Sequence, residues 1–168
     1  MRAVLLVPLV GTLVAVGVPL TRYVERQRHE QTAIEIVQEV RGAQRTFKQS
    51  TGGYATRVEA LTAGCGSGPA PLPMAALERL AGAGYGVLVR AAAGAQSAQT
   101  TACGGEVMAS DYYVAVAPLD AGAAGQQAFA ARADGETHLF YDGLPPSEAS
   151  MASGLATPLS QRATFRIP

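Results

Sequence analysis

The stretch AVLLVPLVGTLVAVGVPLT, residues 3–21, runs without a turn signal into RYVERQRHEQTAIEIVQEVRGAQRTFKQS, residues 22–50. The first segment has 19 positions without a formal charge; the second is charged yet keeps an apolar face. At 1.5 Å rise per residue the uncharged segment would be about 28 Å long as a helix, close to the hydrocarbon thickness of a bilayer. Two readings of it stay open. It can be a secretory signal, with Arg2 as the basic region and Ala15-Val16-Gly17 as the small residues of a cleavage site. Alternatively it is a retained membrane span, favoured because the apolar run continues past that site into helical periodicity. Pro8 and Pro19 would each remove a backbone hydrogen bond and kink or locally melt such a span, which lipid tolerates only where neighbouring helices repair the loss.

In the charged segment Ala33, Ile36, Val40, Ala43 and Phe47 recur at spacings of three and four, one face of a helix that packs on a sheet. Glu35 and Glu39 precede Arg41, Arg45 and Lys48, an order that suits the helix dipole. Residues 22–30 are polar nearly all round, with Arg22/Glu25 and Arg26/Glu30 at pairing distance. Ser50-Thr51-Gly52-Gly53 ends the helix. The domain boundaries follow: residues 1–50 form an N-terminal helix, 3–21 its membrane half and 22–50 its domain-packing half, and 51–168 form a globular head.

Beyond the helix, Thr56-Arg57-Val58-Glu59 has the pattern of a capping box and predicts a short helix over 57–62. A further helical turn or two is expected over 74–80, and strands over 85–90, 111–118, 127–133 and 137–141. A polar loop separates the first two strands over 94–105, and a Gly/Ala loop the next two over 120–126. Asp134-Gly135 is a two-residue hairpin signal. A loop at 142–146 closes the sheet, and 163–167 reads as a further edge strand. The fold class is therefore α+β, with a long N-terminal helix laid on an antiparallel meander of three or four strands.

Composition narrows the function. Residues 1–50 carry seven Lys/Arg against four Glu, and 51–168 carry six against nine Asp/Glu, so the halves hold +3 and −3. Neither is enough to build a nucleic-acid surface. Cys65 and Cys103 lie in Gly-rich surroundings behind a membrane-targeting start, a context for an exported disulfide. The two histidines, His29 and His138, stand apart without a carboxylate cluster. There is no phosphate-binding loop; the serine of GCGSG is misplaced for a nucleophile elbow; Gly82, Gly84 and Gly86 precede a strand where a dinucleotide loop would precede a helix. Asp142 and Glu148 could hold calcium only with added carbonyls. No cofactor and no enzymatic activity are expected.

The ending VGVPLTRY of the apolar stretch, the following helix, AQRTFKQSTGGYA, the VEAL helix, FAARADGETHLFYDGLPP and the closing LATPL together resemble type IV pilins and the pseudopilins of type II secretion, the major pseudopilin type above all. The resemblance covers residues 9–61 and 111–159 most densely and rests on the order of elements. It implies a lollipop fold and a single-pass precursor in the bacterial inner membrane with its head in the periplasm. It also implies assembly, aided by inner-membrane machinery, into a periplasmic or extracellular filament with copies of itself or other pilins. The filament core would be built from Leu5, Leu6, Pro8, Leu9, Gly11, Leu13, Val16 and Pro19, of which Gly11 and Pro19 match positions of the family's apolar helix. Aligned on these two, Arg2 occupies the place of the family's glutamate near the mature N-terminus. Either the start is truncated or misassigned, or the protein is a relative that is not processed and polymerised in the usual way. The alternative function is a membrane-anchored or secreted adaptor domain, minor-pilin-like, that does not polymerise.

Overall fold

The computed structural model describes residues 6–64, 68–99, 105–120, 127–140, 143–153 and 156–161, with side-chain surroundings from residue 21 onward. One helix, α1 (Leu6–Thr51), takes up the first part of the chain. Its assignment passes through Pro8 and Pro19 without a gap, so the expected local melting at these prolines does not occur. The helix stops where the sequence changes its backbone preference. Gly52 takes φ +85°, a conformation that costs a residue with a Cβ, and its N–H closes on the Lys48 carbonyl at 2.8 Å.

The head follows as β1 (Tyr54–Ala55), α2 (Val58–Ala63), α3 (Met74–Gly82), β2 (Tyr85–Ala91), β3 (Ser97–Gln99), β4 (Val107–Ala109), β5 (Tyr112–Pro118), β6 (Ala128–Arg132), β7 (His138–Phe140), α4 (Glu148–Ala152) and β8 (Thr157–Pro158), with a 3-10 turn at Leu159–Gln161. Two antiparallel sheets form, a five-stranded one in the order β2-β5-β6-β7-β8 and a three-stranded one in the order β1-β4-β3. The class is α+β, but the single meander of three or four strands is too few. The segment read as a polar loop over 94–105 contributes β3, which pairs with β4, and β8 adds a strand beyond β7.

Strand alternation decides the faces. Tyr112, Val114 and Val116 of β5, Phe129 and Ala131 of β6 and Leu139 of β7 point to one side and are buried in a single cluster with residues of α1. Leu61 of α2 and Ala76 and Leu80 of α3 close that cluster at its flank. The other side of the sheet carries Tyr113, Ala115 and Ala130, which form a small second cluster with Ala92 under Met151 of α4.

Two local motifs resolve differently from their sequence signals. Thr56 does not cap α2: its hydroxyl donates to the Val107 carbonyl at 2.8 Å, and Arg57 stands at the N-cap with its side chain turned to Glu106 and making no capping hydrogen bond. Asp134-Gly135 does not make a two-residue turn. The last paired residues are Ala130 and His138, and Gly135 lacks the positive φ that such a turn demands. The 163–167 strand falls outside the described residues, as does most of the Gly/Ala loop over 120–126.

Candidate functional site: the stem helix and its exit from the head

From residue 30 onward α1 is part of the head's core. Buried positions fall at Glu30, Ala33, Val37, Val40, Gln44 and Phe47, alternating three and four apart, with Ile36 and Ala43 widening the stripe. Ala33, Ile36, Val40, Ala43 and Phe47 are each 2% exposed or less. Val37 belongs to the same stripe, although the sequence reading passed over it. Two members, Glu30 and Gln44, are polar and fall outside the apolar pattern that the sequence shows.

Gln44 explains itself through its partners. Its Nε2 donates to the Ala55 carbonyl and its Oε1 accepts from the Ala55 N–H, both at 2.9 Å. Strand β1 is an edge of its sheet, so a side-chain amide on the helix supplies the donor and acceptor that a further strand would supply. Nearby, Gly53 lets the chain leaving α1 pass close to β4: a Cβ there would stand 2.9 Å from Met108 Cβ. Further polar ties run from the helix to the β6–β7 connection. Arg41 Nη2 donates to the Gly135 carbonyl at 2.8 Å, and Gln38 Nε2 to Thr137 Oγ1 at 3.3 Å. On the flank, Glu39 pairs with Arg79 of α3.

Toward its N-terminal side the helix emerges from the head. Residues 21–25, 27 and 28 are exposed, including Tyr23 at 48% and Val24 at 46%. The expected ion pairs Arg22/Glu25 and Arg26/Glu30 do not form, and among the described residues Arg22, Arg26 and Arg28 have no acidic partner. For Arg26 the reason is that Glu30 turns inward as the first member of the buried stripe, 2% exposed.

A second polar assembly lies on the far face of the five-stranded sheet. Glu148, at the start of α4 and nearly buried, accepts from the Ala93 N–H at 2.7 Å and faces Arg90 Nη2 at 2.8 Å, with Arg132 Nη1 4.0 Å away. Arg132 is also paired with Asp111, whose Oδ1 accepts from the backbone N–H of Tyr112 and of Ala133. That hydrogen bond to Asp111 holds the Arg132 guanidinium above its ordinary pKa, with the Asp111 charge adding to it. The Tyr113 hydroxyl donates to the Pro146 carbonyl at 2.5 Å, and its ring lies 4.5 Å from the Arg90 guanidinium carbon. Burial raises the Tyr113 phenol, partly offset by Arg90, and burial likewise raises Tyr112, partly offset by Arg41. These contacts fasten the 143–152 segment to the sheet.

Leu6, Pro8, Leu9, Gly11, Leu13, Val16 and Pro19 are all on α1, upstream of the described side chains. Leu5, Arg2, Cys65 and Cys103 lie outside the described residues, and with them the expected pairing of the two cysteines. Among the described residues no helix is long and apolar enough to cross a membrane, and no cluster of His, Cys, Asp or Glu could hold a metal ion. Asp142, the first calcium candidate, is also outside them, while Glu148 is taken up by Ala93 and Arg90. No protein-family model, curated protein or solved structure matches the chain.

Proposed function

We propose that the chain is a structural subunit of a type IV pilus-like or type II secretion pseudopilus filament, with the lollipop arrangement of that family. The observation that carries this reading is the division of labour along α1. One 46-residue helix is built into the head's core over its second half, then leaves the head, exposed at residues 21–25, 27 and 28, and continues toward the uncharged residues 3–21. A helix fixed in this way cannot fold back onto its own head without giving up the core. Its uncharged part needs another apolar environment, lipid before assembly and the helices of neighbouring subunits afterwards. Function is then mechanical, carried by helix packing and by the outer surface of the head, with the head on the periplasmic side and inner-membrane machinery driving assembly.

The test is to express the full chain in a bacterial host with such an assembly system, shear and pellet the surface and periplasmic filaments, and probe the fraction for the chain. Recovery in filaments, abolished by Leu13→Arg while the head stays folded, is the expected result. A chain that remains wholly in the membrane or the soluble fraction while the host assembles filaments would instead mark a non-polymerising adaptor.

A further inference from the structure

We propose that Arg22, Arg26 and Arg28 form a basic collar that binds anionic phospholipid headgroups where the stem enters the bilayer. The inference rests on the membrane-stored state described above and goes beyond it by assigning a lipid class to named residues.

Three independent observations meet there. Each arginine has a carboxylate within helical reach or close to it, yet none is paired: Glu30 is buried in the head and Glu25 makes no ion pair. Among the described residues of the head, Arg57, Arg79, Arg90 and Arg132 are each held by a carboxylate and Arg41 donates to the Gly135 carbonyl, while Arg45, like the collar, makes no ion pair. The collar also occupies two sides of the helix instead of one. Arg22 and Arg26 are one turn apart on the same side, and Arg28, about 200° of turn beyond Arg26, points away from both. A single protein partner would be met by one face, whereas a headgroup layer meets the whole circumference.

The third observation is the company these arginines keep. Tyr23 and Val24, exposed at 48% and 46%, sit between them, and the uncharged segment ends at Thr21. Apolar run, amphipathic ring and cations, in that order along the axis, match hydrocarbon, interface and phosphate layers. Residues 22–28 carry three arginines against one glutamate, so the collar is net +2 and complements an anionic surface. The planar guanidinium can engage a phosphodiester through two donors at once.

The chain has no tryptophan, so Tyr23→Trp supplies a single fluorescent probe in the interface layer. Full-length Tyr23→Trp protein would be reconstituted in mixed vesicles of phosphatidylcholine and phosphatidylglycerol, and quenching compared when one lipid or the other is brominated. The expected result is preferential quenching by the anionic lipid, falling roughly fivefold for each of Arg22→Gln, Arg26→Gln and Arg28→Gln as an upper bound, the equivalent of about 1 kcal/mol per cation near an anionic surface. The preference should weaken with salt and persist in millimolar inorganic phosphate, which separates headgroup from free anion. Equal quenching by the two lipids at low salt overturns the collar while leaving the membrane-stored stem intact. Absence of quenching by either lipid overturns both. Cross-linking of Arg26→p-benzoylphenylalanine to another subunit's head, in place of lipid, assigns the collar to protein contact and also overturns the proposal.

Discussion

Replacing Gln44 by methionine probes how the helix holds the edge of the head. The side chain is fully buried, and both of its hydrogen bonds go to Ala55, which is itself 0% exposed. Methionine nearly conserves volume, so packing loss is small, and what remains is a buried N–H and a buried C=O without partners. Each costs about 1–3 kcal/mol when left unsatisfied, which puts the loss at roughly 2–6 kcal/mol. That is a large share of the stability of a domain of this size, for which about 5–15 kcal/mol is usual. The assay is urea unfolding of the full chain in mild detergent, followed by tyrosine absorbance, with the exchange rate of the Ala55 amide measured in parallel. Gln49→Met, an exposed change on the same helix, is the control and should stay within about 0.5 kcal/mol. If Gln44→Met costs no more than Gln49→Met, or if Ala55 exchange is unaltered, the helix does not cap β1 and the reasoning fails.

Other consequences are as specific. Gly53→Ala should destabilise by about 1–3 kcal/mol through the close approach to Met108 Cβ, and adding Met108→Gly should recover part of that loss in a double-mutant cycle. Phe47→Ala should cost about 3–5 kcal/mol, whereas Tyr23→Ala, at the exposed exit, should leave head stability within about 0.5 kcal/mol. Tyr112 and Tyr113 should ionise above the ordinary tyrosine range in an ultraviolet titration. Because their folded pKa values are raised, the stability they contribute is intact below the unfolded value, about 10, and is lost as pH climbs above it toward the folded values. Titration of every tyrosine together near 10 with the head still folded would contradict this.

Much of the framework was legible because it depends on periodicity. Ala33, Ile36, Val40, Ala43 and Phe47 are apolar at helical spacing, and 85–90, 111–118 and 127–133 combine β-branched, aromatic and alanine residues between turn signals; each produced an element close to its expected range. What stayed hidden depends on partners distant in sequence. Gln44 and Glu30 look like surface residues until β1 and the head close around the stripe. Strands β3 and β4 have three residues each, too short for alternation to register, and they exist because they pair with each other and with β1. Thr56 has the chemistry of a cap but spends its hydroxyl on Val107, a residue far along the chain. The Arg90–Glu148–Arg132–Asp111 assembly draws on four separate stretches, which no local motif links.

The central claim is that the N-terminal half of α1 packs against other copies of itself. A photoreactive residue placed at Leu13 in the full chain, activated in cells that assemble filaments, tests it directly. The account predicts a ladder of covalent dimers and higher multimers joined through residues 3–21, with no ladder from the same group placed at Gln49. Products confined to lipid or to monomer at Leu13, in cells whose filaments contain the chain, would contradict it.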